Sequence, residues 1–147
     1  MARGRMINTT ISEDIEFNEL SLEAQLIYLR TIPFLDRDGL INGHPSILMG
    51  KIAPLLSDLK HRSTEIIDEL VDSGLVLRYM DGKTAILFFK GFTQNQIGLR
   101  YDREPASQFA PPPGFRRTKS GLQVDDSTLR QPLPEECRKN AGRMPEG

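Results

Sequence analysis

Cysteine is almost missing from this chain of 147 residues: Cys137 stands alone, which excludes an intramolecular disulfide and a Cys-rich metal site. A lone thiol with no histidine beside it reads as an ordinary free cysteine in a reducing compartment. Long apolar runs are lacking as well, so no segment is suited to spanning a bilayer. The charged start Met1, Ala2, Arg3, Gly4, Arg5, Met6 is not followed by the apolar stretch of a secretory signal. Neither sign of charge prevails: 19 lysines and arginines face 20 aspartates and glutamates, for a formal net charge of -1 and a pI near 6.1. No global basic field pulls the chain onto nucleic acid, and any such contact must come from local patches.

Histidine is equally scarce. His44 and His61 have no third ligand at metal spacing, which leaves them surface or capping roles. Asp36, Arg37, Asp38 and Gly39 resemble the start of a calcium loop, but the sixth position is Ile41 rather than glycine and the twelfth is Ile47 rather than glutamate. Ser57, Asp58, Leu59 and Lys60 have the spacing of a serine-lysine acylase motif without its companions. No catalytic constellation emerges, so the expectation is a non-enzymatic protein without metal or cofactor.

What is present is organised around residues 63–90. Ile66, Ile67, Leu70 and Val71 fall on one side of a 3.6-residue period, with Ser63 or Thr64 as N-cap and Gly74 as the stop. The period then changes to two, in residues 75–79 and again in 84–89, with Asp81 and Gly82 suited to a two-residue turn. Pairing through that turn sets Tyr79 opposite Thr84, Leu77 opposite Ile86 and Leu75 opposite Phe88, and this set forms the expected buried face. A helix feeding a hairpin that packs back on it is the second half of a winged helix.

Earlier in the chain, Ser12 to Phe17 allow one helical turn offering Ile15 and Phe17 to a core. Ser21 is an N-cap for a helix whose stripe is Leu22, Leu26, Leu29 and Ile32, which Pro33 ends. Residues 36–39 make a turn into a very short strand at Leu40, Ile41 and Asn42, and Pro45 opens a second helix that runs to Pro54. The fold class is α+β, a winged helix-turn-helix with three main helices and a small antiparallel sheet over residues 1–97. Beyond it, prolines at 105, 111, 112, 113, 132, 134 and 145 with few apolar residues between them mark 98–147 as a largely disordered tail, with Leu99, Tyr101 and Phe109 the residues that can anchor its first part.

Fold and charge together point to DNA. Lys60, His61, Arg62, Ser63 and Thr64 place cations, hydroxyls and free amides at the start of the presumptive recognition helix. Lys83 at the wing tip and Arg78 on its outer face can hold the backbone, with Arg3 and Arg5 as a flexible arm. Arg100, Arg103, Arg116, Arg117 and Lys119 form a second basic run in the tail, diluted by acidic residues. Against full groove insertion stand Glu65, Asp68, Glu69 and Asp72 on the exposed side of the same helix, which suit a basic protein surface instead. The alternative is therefore a winged-helix interaction module, a replication or transcription adaptor, or else a transcriptional regulator.

The segments Met1 to Ile7, Leu20 to Leu26, Asp36 to Gly39, Gly43 to Pro45, Leu70 to Val76 and Tyr79 to Lys83, in that order, resemble bacteriophage winged-helix proteins related to the N-terminal domain of DnaD-type replication initiators. The resemblance covers the first two thirds of the chain and extends to Gln94, Asn95 and Gln96 and the proline-rich stretch after them. It implies a phage or prophage protein of the bacterial cytoplasm, acting in replication initiation or replisome organisation with DNA and other replication proteins as partners.

Overall fold

A computed structural model describes residues 4–125; Arg3, Cys137 and the rest of the expected tail beyond 125 lie outside them. The described residues form an α+β fold with six helices and a small antiparallel sheet. None of these helices is long and apolar enough to cross a membrane.

A 3-10 turn at Thr9–Glu13 leads into α1 (Ile15–Asn18), whose Phe17 amide donates to the Asp14 carboxylate at 3.1 Å. Phe17 enters the core as expected, but Ile15 is 72% exposed, because a four-residue helix turns only one position inward. Helix α2 (Leu22–Thr31) is capped by Ser21, whose hydroxyl accepts from the Ala24 amide at 3.1 Å. Its buried residues are Ala24, Ile27 and Thr31; of the expected stripe Ile32 is buried and Leu29 packs partly against the core, whereas Leu22 is 79% exposed and Leu26 also faces outward. The small Ala24 lets α5 approach closely, and the Thr31 hydroxyl is satisfied inside the helix by the Ile27 carbonyl at 2.7 Å, so neither needs the outward face. Pro33 ends α2 in a 3-10 turn, Ile32–Phe34.

The Asp36 to Gly39 turn is locked from within. The Asp36 carboxylate accepts from the Asp38 and Leu40 amides, and Gly39 adopts φ +82, where an added Cβ would also stand 2.7 Å from that of Phe92. Strand β1 (Leu40–Asn42) follows, then α3 (Pro45–Ile52) with Pro45 at its start and the His44 ring accepting from the Ser46 amide, the capping role expected of that histidine. The serine-lysine segment is the short helix α4 (Ser57–Lys60). Helix α5 (Ser63–Asp72) comes next, with Ile66, Ile67 and Leu70 buried. Its N-cap position is Arg62, with no side-chain cap, so the expected Ser63 or Thr64 cap is not formed and the Ser63 side chain is buried.

Strands β2 (Val76–Asp81) and β3 (Thr84–Phe89) form the hairpin, and β1 pairs with β3 to give the order β1-β3-β2. The register differs by two residues from the expected one: Asp81 pairs with Thr84, Tyr79 with Ile86 and Leu77 with Phe88, leaving Gly82 and Lys83 as the loop. Gly82 takes φ +64, and Asp81 stays in the ladder with its carboxylate accepting from the Ala110 amide at 2.9 Å. A shift of two preserves which side chains share a face.

Both faces are buried. Val76, Leu87 and Phe89 join Ile27, Leu48, Ile66 and Leu70 in the helix-side core. Leu40, Tyr79, Ile86 and Phe88 make a second cluster, closed by Leu77, Phe109, Phe115 and Leu122. Residues 98–125 thus fold, correcting the disordered-tail expectation over that stretch. They carry a 3-10 turn (Tyr101–Arg103), strand β4 (Phe115–Thr118) and strand β5 (Gly121–Val124) in a second hairpin. Proline richness lowers what must be paid to order this segment, since each ring already fixes φ, and the waiting sheet face supplies the apolar partner its own composition lacks. A further short helix, α6 (Phe92–Asn95), adds Phe92 to the helix-side core, close against Gly39.

Candidate nucleic-acid interface

Helix α5 is set by packing against α2 and α3 on one side and by β2 running back from its C-terminus, where Gly74 closes it at φ +87. Its start presents Lys60, His61 and Thr64 to solvent, and no side chain caps the first turn. Lys83 is exposed at the hairpin loop. Among the described residues, these four are the predicted contact residues that remain available.

The other predicted contacts among the described residues are engaged elsewhere. Arg62 lies 3.4 Å from Glu23 and 4.0 Å from Glu65, and Arg78 holds Asp68 at 2.8 Å. Ser63 is buried. Arg5 is no flexible arm: its side chain is 4% exposed, its guanidinium grips both Glu104 oxygens, donates to the Leu35 carbonyl at 3.0 Å and stacks over Phe92. The acidic set is divided too. Glu65 and Asp72 are exposed, but Glu69 accepts from the Ser21 amide and hydroxyl at 2.7 and 2.8 Å, tying α5 to the start of α2. Sequence spacing placed Glu69 on the outer face, and only the approach of Ser21 across the helix pair draws it in.

A polar centre that the sequence reading missed fastens residues 98–125 to the domain. The Asp38 side chain is wholly buried, accepting from the Tyr101 hydroxyl at 2.6 Å and from Arg117 Nε at 2.8 Å. Arg117 also donates to the Phe109 carbonyl at 2.7 Å, and Arg37 stacks 4.0 Å from the Tyr101 ring while donating to the Tyr101 and Glu104 carbonyls. Arg117 therefore leaves the expected second basic run, while Arg100, Arg103, Arg116 and Lys119 remain exposed. Burial lifts the Tyr101 hydroxyl above its ordinary pKa, helped by its bond to Asp38. Burial likewise raises Asp36, opposed by the Ser107 hydroxyl and by the Leu40 and Asp38 amides. Ser107 also accepts from the Phe109 amide at 3.2 Å.

The calcium-loop likeness is thus a buried structural network, and among the described residues no group of three or more histidine, cysteine or carboxylate side chains could hold a metal. Compared with protein families, curated proteins and solved structures, the chain gives no match.

Proposed function

We propose that the chain is a non-enzymatic winged-helix DNA-binding protein of a bacteriophage or prophage, acting in replication initiation or replisome organisation in the host cytoplasm. In this reading α2, α3 and α5 are the three helices of the winged helix, α5 is the recognition helix and β2-β3 the wing. The observation that carries it is the start of α5, where Lys60, His61 and Thr64 are exposed beside an uncapped first turn. Lys83 adds a phosphate contact from the wing. The replication role draws on the resemblance of the quoted segments to DnaD-type initiators.

A second reading, a winged-helix interaction module in replication or transcription, is favoured by the carboxylates around the same helix. Arg62 and Arg78 carry acidic partners, while Glu65 and Asp72 face solvent. Fluorescence anisotropy of the full chain with duplex and single-stranded DNA over a salt series separates the two. DNA binding that weakens steeply with salt, and that falls on Lys60→Ala and Lys83→Ala, supports the first. Absence of binding at low salt overturns it; capture of a basic partner that Glu65→Lys with Asp72→Lys abolishes would then support the second.

A further inference from the structure

Residues 98–125 differ in charge from the domain they cover. Residues 4–97 carry nine lysines and arginines against thirteen aspartates and glutamates, whereas 98–125 carry five against three. The fold sharpens this bias. Glu104 is held by Arg5, and the Asp38 carboxylate beneath the segment is held by Tyr101 and Arg117. Arg100, Arg103, Arg116 and Lys119 are exposed, and among the described residues none of the four has an ion pair or a side-chain hydrogen bond.

Tertiary contacts bring these four cations onto one surface. The Arg103 amide donates to the Arg100 carbonyl at 3.0 Å, so one tight turn sets the two arginines side by side, while Tyr101 between them turns inward to Asp38. The loop joining β4 to β5 lies against this turn. A Cβ added at Gly121 would stand 3.7 Å from the Tyr101 ring, and Arg117 shares the Asp38 carboxylate with Tyr101. Lys119 sits in that loop. On β4 the side chains of Phe115 and Arg117 point toward the sheet and Asp38, so Arg116 between them projects from the outer face, opposite Gln123.

What such a surface recognises follows from what it presents. Cations without carboxylate partners attract an extended polyanion, and each phosphate they neutralise releases counterions. No ring on this face is free for base stacking: Phe115 packs edge-on against Phe88 at 5.2 Å, and Arg37 covers the Tyr101 ring at 4.0 Å. A single strand, whose unstacked bases need such platforms, is therefore the poorer fit, and a duplex, whose bases are already stacked, the better one. We propose that the face formed by the 3-10 turn Tyr101–Arg103 and the β4-β5 hairpin binds the phosphate backbone of duplex DNA without reading its sequence. The hairpin packs on the side of the sheet away from the helices, so this contact is separate from the start of α5 and stands whether or not that helix binds DNA.

The test is fluorescence anisotropy of the full chain with a short mixed-sequence duplex and with a single strand of the same length over a salt series, alongside sedimentation with phosphatidylserine-containing vesicles. Arg103→Gln with Arg116→Gln and Lys119→Gln removes three cations at exposed positions without partners, so the circular dichroism spectrum should be unchanged. Duplex affinity should fall by about tenfold or more, and the slope of log affinity against log salt should become shallower by about two to three. Asp102→Asn, which removes an exposed carboxylate from the same turn, should tighten binding. Affinity and slope unmoved in the triple variant, a single strand bound as tightly as the duplex, or vesicle binding that needs the same three cations without duplex binding overturns the proposal. A loss on Lys60→Ala with Lys83→Ala while the triple variant binds normally keeps the α5 reading and removes this one. The reverse pattern removes the α5 reading and leaves this one standing.

Discussion

The two faces of the three-stranded sheet are equally apolar yet acquire their covers in different ways. Val76, Leu87 and Phe89 meet helices whose own periodicity announces a face in search of a core. Leu77, Tyr79, Ile86 and Phe88 meet residues 98–125, a stretch with few apolar residues that contributes Phe109, Phe115 and Leu122 and little else. The helix side is closed by many aliphatic contacts, whereas the far side depends on a few aromatic rings, with Phe88 and Phe115 edge-on at 5.2 Å, and on polar ties through Asp38 and Tyr79. A segment with too little apolar surface to fold alone can still fold as a cover when the surface it covers is already built.

The sharpest way to break this comparison is to cut equally into both faces. Phe88→Ala should cost about 3–5 kcal/mol and Leu87→Ala about 2–5 kcal/mol, as deletions in well-packed cores do, read from urea unfolding midpoints. If Phe88→Ala cost well under that, the far face would be a loose contact and the two sides would not be comparable cores.

Next in size is the polar tie. Arg117→Ala leaves the buried Asp38 carboxylate with Tyr101 as its remaining side-chain donor, and should cost about 1–3 kcal/mol. Hydrogen exchange should show the β4-β5 hairpin opening while the amides of α5 stay protected. Equal loss of protection in both would mean that the domain and its cover unfold as one unit.

Tyr79→Phe removes the 2.6 Å bond from the Tyr79 hydroxyl to the Ala110 carbonyl and should cost about 1 kcal/mol at neutral pH. Burial foremost, then the charges of Asp36 and Asp81, raises the Tyr79 phenol well above its ordinary 10.0. The fold therefore favours the neutral phenol. Its contribution is fully present below pH 10.0 and is lost as pH rises through the raised value, so alkaline unfolding should be less steep in Tyr79→Phe. An unchanged alkaline slope would remove Tyr79 from the linkage.

The smallest effects belong to the face around the start of α5 that we propose contacts DNA. Glu23→Ala breaks a pair with Arg62 at 3.4 Å whose side chains are each 41% exposed, and stability should change by less than about 1 kcal/mol. Affinity for duplex DNA should rise as Arg62 is released. A fall in affinity would count against the α5 start as a DNA contact.

Much of the helix side was legible in the chain. Ser21, Pro33, Gly39, Pro45 and Gly74 act through local backbone chemistry, and each stands at the boundary its residue type implies. Errors arose where a choice depended on a distant neighbour. The leucine stripe of α2 is a valid helical face, but Ala24 and Ile27 win the inside because α5 packs close against them. Asp81 could equally be loop or ladder, and its bond to Ala110, 29 residues on, goes with the ladder. Ile86, Leu87, Phe88 and Phe89 are all buried, and that continuous apolar run was the signal in the sequence that the strand is covered on both sides.

By itself, then, the sequence determined the main helices and strands between residues 22 and 89 and their order, because caps, breakers and periodicity act within a few residues of themselves, but not the strands within 98–125. Tertiary structure alone decided which cations are free and which are spent: Arg5 at Glu104, Arg117 at Asp38 and Arg78 at Asp68 find partners 99, 79 and 10 residues away. Charge pairing depends on distance through space, and a linear pattern of lysines and arginines carries no record of which carboxylate the fold will bring beside each.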